Sequence, residues 1–179
     1  MATDQEAGGS SPSGRANSIW DDMPERAADD ERWMREALAE ARKALQKGEV
    51  PVGAVVVCEG QVAGRGHNLV ETIQEPTAHA EILALTAAAN RLADWRLSGC
   101  TLYVTLEPCP MCAGAVVLSR VDRVVFGARD PRFGACGSFF HVLDVDSPDV
   151  KAEIVPGVLE EEASALLRQF FENLRRKGR

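Results

Sequence analysis

Two short motifs constrain this chain of 179 residues more than any other feature. The first is His79-Ala80-Glu81, and the second is Pro108-Cys109-Pro110-Met111-Cys112. Together they offer one imidazole and two thiols, which are the ligand types that zinc prefers. Three protein ligands would leave the fourth zinc position open, and a carboxylate lies two residues from the imidazole. A fold that uses both motifs must bring two segments together across the intervening residues 82–107.

Both motifs are predicted to lie at the start of a helix. Pro110 suits the first helical position, because its missing N–H needs no partner there, and Cys109 then becomes the cap residue. Cys109 and Cys112 are three positions apart and therefore share one helix face. Thr77 is the predicted N-cap of a second helix, which carries the first motif. The positive end of the helix dipole favours a thiolate over a thiol in the first turn.

We predict that His79, Cys109 and Cys112 bind zinc and that Glu81 is the catalytic residue. A zinc ion with three protein ligands lowers the pKa of a water molecule in its fourth position towards neutrality. A carboxylate beside that water can take its proton and deliver it to a ring nitrogen and then to a leaving amine. The combination of H-x-E and P-C-x-x-C is typical of zinc-dependent nucleobase deaminases.

Each motif alone has another interpretation. P-C-x-x-C also occurs in redox pairs and in structural zinc sites with four protein ligands. A closed structural site would need one more donor, and the chain contains four candidates: Cys100, Cys136, His67 and His141. Structural sites usually pair two cysteine motifs, whereas this chain has one, which favours an open catalytic site.

The composition is that of a soluble globular protein, with 45% hydrophobic residues, 26% charged residues and a net charge of −7. No apolar run reaches the roughly 20 residues that span a bilayer, and the N-terminus has no apolar signal segment. We therefore expect no membrane partner and a cytoplasmic location. Cys58, Cys100 and Cys136 lie outside the predicted ligand set, and this odd remainder favours reduced thiols.

The chain divides into a predicted disordered acidic tail, residues 1–30, and a predicted zinc-dependent deaminase domain, residues 31–179. The tail contains seven acidic and two basic residues and nearly lacks aliphatic side chains, which is typical of disorder. Acidity argues against non-specific nucleic-acid binding. The segment from Arg168 onward is a local exception, with five basic residues and one acidic residue.

Helices and strands alternate along the predicted domain, which favours an α/β layered fold. The predicted helices cover residues 31–47, 77–90, 109–118 and 159–177. The predicted strands cover residues 52–58, 61–67, 101–105, 123–127 and 152–155. The first two strands should form a hairpin through the turn at Glu59-Gly60. A long loop is predicted over residues 130–147, and helix starts at one sheet edge are a usual place for an active site.

Several stretches beyond the two motifs resemble the TadA-type tRNA-specific adenosine deaminases, within the cytidine-deaminase-like superfamily. The resemblance covers about residues 31–176. It rests on five segments: Glu49–Val55, Pro76–Glu81, Leu102–Cys109, Met111–Ala115 and Arg123–Asp130. The last segment, with Gly134 and Gly137-Ser138 after it, is more specific to the tRNA enzymes than the zinc motifs are.

The resemblance implies a three-layer α/β/α fold with a five-stranded mixed sheet. It also implies hydrolysis of the wobble adenosine of a tRNA anticodon to inosine, with release of ammonia. The implied partners are one zinc ion per subunit, the anticodon stem-loop and a second copy in a homodimer. His79, Cys109 and Cys112 match the family's zinc ligands, and Glu81 matches its proton shuttle.

Three more residues match substrate contacts of the family. Asn68 matches an asparagine near the flipped nucleotide, and Asp130 matches an aspartate that touches the neighbouring anticodon nucleotide. Phe171 matches an aromatic residue of the last helix that contacts the anticodon loop. Each also has a purely structural interpretation, since Asn68 and Asp130 can hold turns and Phe171 can belong to the core.

Two other functions stay open on the sequence. A small-molecule deaminase of the same superfamily, acting on guanine, cytosine or a free nucleoside, would have nearly the same zinc motifs. Asp130, the loop at 134–138 and the basic C-terminal segment distinguish the tRNA enzymes from it. A non-enzymatic, zinc-stabilised RNA-binding module is the other alternative. Such a module would have no use for Glu81.

Overall fold

The computed structural model describes residues 23–143 and 152–178. The helices in these ranges are α1 (Met23–Gln46), α2 (Val70–Ile73), α3 (Ala80–Leu92), α4 (Pro110–Ser119) and α5 (Glu160–Lys177). The strands are β1 (Gly53–Cys58), β2 (Gln61–His67), β3 (Cys100–Leu106), β4 (Arg123–Ala128) and β5 (Glu153–Pro156). All the predicted elements are present within a few residues of their expected bounds, except that α1 begins earlier. The single-turn helix α2 was not predicted.

One five-stranded mixed sheet has the strand order β2-β1-β3-β4-β5. Strand β1 is antiparallel to both β2 and β3, whereas β3, β4 and β5 are mutually parallel. The carboxyl ends of β3 and β4 therefore lie at the same edge of the sheet. The segment 107–109 follows one of these ends and the segment 129–130 follows the other, so the topology brings predicted site residues to one edge.

Helices cover both faces of the sheet. Helices α1 and α5 pack on one face, and α3 and α4 pack on the other. Side chains alternate along each strand, so that in β3 Tyr103 joins the core under α1 while Leu102 and Val104 join the core under α3 and α4. The predicted three-layer α/β/α fold with a five-stranded mixed sheet is confirmed.

Helix α3 lies close to β2 because two glycines of that strand face the helix backbone. A Cβ on Gly66 would overlap the carbonyl oxygen of Ala80, and a Cβ on Gly64 would overlap that of Ala84. A glycine in a strand often marks such a close backbone approach. Because Ala80 is the first residue of α3, this contact sets the height of the helix start above the sheet.

Helix α1 begins at Met23 rather than at the predicted residue 31, so residues 23–30 are helical and not disordered. Asp30 is buried, and its carboxylate accepts hydrogen bonds from Arg123 at 2.6 and 2.7 Å and from the Tyr103 hydroxyl at 3.0 Å. An ion pair holds this part of the helix instead of an apolar stripe, which is why hydrophobic periodicity missed it. The rest of the predicted tail, residues 1–22, lies outside the described residues.

Cys58 and Cys100 form a disulfide, so the prediction of reduced thiols is wrong for these two residues. They are directly opposite each other in the antiparallel pairing of β1 and β3, with Cα atoms 4.4 Å apart. A separation of 42 residues in the chain does not reveal this register. In the described ranges, every helix is too short or too polar to cross a bilayer.

Candidate active site

The start of α3 presents the first motif. His79 is the N-cap of this helix, with extended φ and ψ of −73° and 151°. The prediction that Thr77 is the cap is therefore wrong, since the Thr77 hydroxyl donates to the Glu75 carboxylate at 2.7 Å instead. Glu81 is the second helical residue and is buried. The start of α3 thus carries both residues of the first motif, and the Glu81 carboxyl lies close enough to Cys112 to form a hydrogen bond with its thiol.

The start of α4 presents the second motif as predicted. Cys109 is the N-cap and Pro110 is the first helical residue, while Cys112 lies in the first turn and is buried. The backbone supports this turn, because the Ala113 N–H donates to the Cys109 carbonyl at 2.8 Å. Both sulfur atoms consequently lie at the positive end of the α4 dipole.

The fold brings the two motifs together. His79 Nδ1 lies 3.6 Å from Cys109 Sγ and 3.5 Å from Cys112 Sγ. Among the described residues, these three side chains form the group whose donor atoms all lie within 4.8 Å of one another. Two of the four alternative donors are engaged elsewhere: Cys100 is in the disulfide, and His67 lies against Glu40 and Lys47. One imidazole and two thiols fit the ligand set of zinc with an open fourth position.

The two thiols differ sharply in acidity. A hydrogen bond from Cys112 lowers the pKa of Cys109 to about 4, and His79 adds to this effect. The hydrogen bond to Cys109 and burial raise the pKa of Cys112. The hydrogen bond with Cys109 also raises the pKa of His79. A divalent cation fits here because its charge would stabilise both thiolates, in place of the proton they share.

Burial gives Glu81 an unusual acidity. Removal of its carboxyl from water raises its pKa to about 7, although the neighbouring His79 opposes the shift. Such a carboxyl exchanges protons readily at neutral pH, which is the property that a general acid–base group needs.

A cleft of about 530 Å³ opens beside the three donors, within the range of small-ligand sites. We call it the substrate cleft. It is lined by His79, Glu81, Cys109, Asn68, Asp130, Glu49, Glu107, Val52, Met111 and Phe133, among others. The structure thus brings two of the three predicted substrate residues, Asn68 and Asp130, to the same cleft as the predicted metal ligands.

Phe171 lies elsewhere. It is on α5, is 37% exposed and does not line the substrate cleft. It borders a separate surface groove together with Arg132, Arg168 and Arg175. This exposure argues against the interpretation of Phe171 as a core residue. Arg132, two residues after Asp130, links the groove to the loop that forms a wall of the cleft.

Two further buried carboxylates line the cleft and were not predicted from the sequence as site residues. Glu49 accepts hydrogen bonds from the Asn68 amide at 3.3 Å and from the Thr72 N–H at 2.6 Å. Glu107 accepts hydrogen bonds from three backbone N–H groups of the loop after β4. Glu107 comes directly before a proline, and Glu49 comes two residues before one. An acidic residue at the start of such a proline-containing, largely apolar stretch was the sequence feature that could have indicated both.

The fold and the site define a class, because an α/β/α sandwich with H-x-E and P-C-x-x-C at two helix starts is the arrangement of the nucleobase deaminases. The model of the MafB19-like deaminase family matches residues 28–175. The tRNA-specific adenosine deaminase of Bacillus subtilis (strain 168) is 56% identical over 148 residues, which cover 83% of this chain and 92% of that protein. The chain belongs to the family of tRNA-specific adenosine deaminases.

Solved structures of similar proteins include both tRNA and small-molecule deaminases. A structure from a study of A-to-I editing by tRNA:A34 deaminases at the wobble position has a TM-score of 0.70 and 40% identity, over 76% of this chain and 99% of that chain. A structure of the guanine deaminase from Nitrosomonas europaea has a TM-score of 0.69 and 29% identity, over 78% of this chain and 83% of that chain.

Proposed function

We propose that this chain hydrolyses the wobble adenosine of a tRNA anticodon to inosine and releases ammonia. One observation carries the proposal: the buried carboxyl of Glu81 lies at a cleft beside a three-donor cluster that suits a catalytic metal. The family and its relatives, which are named for this activity, supply the substrate.

His79, Cys109 and Cys112 would hold one zinc ion per subunit. When bound, zinc supplies a Lewis acid that makes water a good nucleophile near neutral pH. The protein's own contribution is to leave one side of the cluster facing the cleft. An RNA-binding module without catalysis would not need that opening, nor a buried carboxyl with a pKa near 7.

Glu81 would move protons in both halves of the reaction. It accepts a proton as water attacks C6 of adenine and donates it to N1, so that the ring can accept the new C–O bond. It then transfers the proton of the added hydroxyl to the 6-amino group, which leaves as ammonia. Water and adenosine are thereby converted to inosine and ammonia without a net change in the carboxyl.

The RNA would contact the protein at two places. Asn68 and Asp130 would contact the splayed nucleotide and its neighbour, a role that is supported by their position in the lining of the substrate cleft. The groove around Phe171, with Arg132, Arg168 and Arg175, suits the phosphates and a stacked base of the anticodon loop. This local positive charge would offset the acidity of the chain as a whole.

The second candidate function is deamination of a free nucleobase such as guanine. The likeness to the guanine deaminase from Nitrosomonas europaea favours it, because its TM-score of 0.69 is close to that of the tRNA enzyme. The higher sequence identity to tRNA deaminases, and the basic groove beside the cleft, favour the RNA substrate.

A homodimer and a cytoplasmic location are the remaining parts of the proposal. A monomer would leave Trp95 at 53% and Leu118 at 75% exposure, which supports burial against a second copy. Sedimentation equilibrium of the purified protein should give twice the chain mass of 19.3 kDa.

The deciding experiment gives the zinc-loaded protein two substrates in parallel, an anticodon stem-loop with adenosine at the wobble position and free guanine. Nucleoside analysis should find inosine at that position, and a stem-loop with guanosine there serves as the control. Conversion of guanine with no inosine formed would establish the small-molecule function instead.

A further inference from the structure

Glu107 is a buried carboxylate that no step of the proposed reaction uses. Its residue is 2% exposed, and it lies directly after β3. Oε1 accepts hydrogen bonds from the N–H groups of Cys136 at 3.0 Å and Ser138 at 3.1 Å, and Oε2 accepts one from the N–H of Asp130 at 3.1 Å. A single side chain therefore gathers both ends of residues 130–138, which we call the substrate loop.

The backbone around Glu107 reinforces this contact. The Glu107 N–H donates to the Ala128 carbonyl at 2.8 Å, and the Pro108 carbonyl accepts from the Ala135 N–H at 2.8 Å. Asp130 in turn binds its own loop, because its carboxylate accepts from the Arg132 N–H at 2.9 Å. The loop is thus folded around the segment between β3 and α4.

Gly134 shows how closely the loop wraps the carboxylate. A Cβ at this position would overlap Glu107 Cδ and would lie 2.5 Å from Oε2 and 2.5 Å from the Asp130 carbonyl oxygen. Any side chain here would have to displace a carboxylate that three N–H groups hold in place. The loop therefore needs glycine at 134 because Glu107 fills the space.

The segment that carries Glu107 also carries a predicted metal ligand, Cys109, two residues later. The loop that Glu107 holds supplies Asp130 and Phe133 to the lining of the substrate cleft. The segment 107–109 consequently holds the substrate loop through Glu107 and carries one of the three predicted metal ligands, Cys109. A change in the Glu107 carboxylate would shift the substrate loop relative to the predicted metal ligands. The three ligand side chains themselves would stay in place.

We propose that Glu107 is a positioning residue for substrate binding, whose carboxylate holds the substrate loop so that Asp130 and Phe133 line the substrate cleft beside the predicted metal ligands. This inference rests on the proposed deaminase function for its kinetic effect, but its structural effect is independent of that function. Glu107 acts through the loop and touches neither the reacting base nor the zinc.

Glu107→Gln in the full-length zinc protein is the direct test, because the amide keeps the side chain's size but turns an NH2 group towards backbone N–H donors. Hydrogen exchange at Asp130, Cys136 and Ser138 should accelerate by about tenfold or more, since bonds to a charged acceptor are lost. KM for the stem-loop should rise by about tenfold, with a much smaller change in kcat. Zinc should remain at one per chain.

Asp122→Asn is the matched control. Its carboxylate also accepts a backbone N–H, from Gly99 at 2.8 Å, but it lies outside the substrate cleft. This variant should keep the wild-type KM and the wild-type exchange rates of the substrate loop. An equal rise of KM in both variants would overturn the role assigned to Glu107.

Gly134→Ala tests the same contact from the other side without changing any charge, and it decides the matter if Glu107→Gln does not fold. It should raise KM and loop exchange in the same way. The inference would be overturned if both variants form inosine with an unchanged KM and unchanged hydrogen exchange in the substrate loop. Loss of zinc from Glu107→Gln would also overturn it. A wild-type protein that forms no inosine would instead contradict the proposed function, and the exchange rates would still test the loop.

Discussion

His79 Nδ1 lies 3.5 Å from Cys112 Sγ, although the two residues are 33 positions apart in the chain. The close packing of α3 on β2 and the turn from β3 into α4 together produce this proximity. Because both residues lie at helix starts anchored to the sheet, the site should assemble before any metal binds.

Glu81→Ala should abolish turnover and leave zinc bound. The carboxyl is assigned to proton transfer and not to the metal, and general acid–base groups contribute about 10²–10⁴-fold to rate. Single-turnover inosine formation and metal analysis of the same sample measure the two effects together. Near-normal activity, or loss of the zinc, would contradict the assignment.

Cys109→Ser and Cys112→Ser should each lose zinc and lower the thermal stability of the zinc-loaded protein. Either change removes one thiolate from a three-ligand site whose metal stabilises the fold. Cys136→Ser is the control and should keep one zinc per chain by metal analysis. Release of zinc from the control would point to a closed site with four protein ligands.

The metal-free protein should lose stability between about pH 4.5 and pH 7 on account of Glu81. The pKa of this buried carboxyl is about 7 in the folded chain, against 4.5 without the fold. The folded state therefore binds more protons than the unfolded state in this window. The resulting stabilisation of the fold is complete below pH 4.5 and is lost as pH rises through 7. Glu81→Gln should remove this loss, which amounts to roughly 3 kcal/mol.

Urea unfolding of the two metal-free proteins across this pH window measures the difference directly. Cys109 contributes a slope of the opposite sign across this window, because its pKa is lowered from 9 to about 4 in the folded chain and only the unfolded chain holds the proton there. The comparison between wild type and Glu81→Gln is therefore the relevant quantity. Parallel stability curves for the two proteins would show that Glu81 has no raised pKa.

Asp30→Ala should destabilise the fold by about 3 kcal/mol, because it leaves the largely buried guanidinium of Arg123 without its bidentate partner. Arg26→Ala is a matched control, since Arg26 pairs with Glu153 at the surface and each side chain is about half exposed. Exposed pairs contribute about 0–1 kcal/mol. Similar melting temperatures for the two variants would show that the start of α1 contributes little.

Reversal of Arg168 and Arg175 to Glu should weaken stem-loop binding and flatten its dependence on salt. Each arginine that contacts a phosphate adds about 0.7–0.9 to the slope of log affinity against log salt. Arg35→Glu, an exposed change on α1 outside the groove, should leave the slope unchanged. An unaltered slope in the double variant would exclude this groove as an RNA contact.

The start of α4 was predictable from the sequence because its determinants are local. Proline at the first helical position and cysteines three apart are properties of five neighbouring residues, and the structure has the helix as predicted. The start of α3 was less predictable. Thr77 has the right chemistry for a cap, but a nearer partner, Glu75, binds its hydroxyl, and His79 takes the cap position.

The roles of Asn68, Asp130 and Phe171 came from resemblance, and their contacts with substrate stay predictions. The structure shows that the three residues lie in two different places. Asn68 and Asp130 line the substrate cleft, whereas Phe171 borders the separate groove on α5. Spacing along the chain could not separate these two locations. They depend on how α5 crosses the sheet relative to the loop after β4.

The donor set, most of the helix starts that carry it and the alternation of strands and helices can be read from short stretches of sequence, because periodicity and capping act over a few residues. The surroundings of the donors depend on contacts between distant parts of the chain. Glu107 meets Cys136 across 29 residues, and Asp30 meets Arg123 across 93. A buried carboxylate is stable only where the fold brings donors to it, and those donors are chosen by packing and strand order.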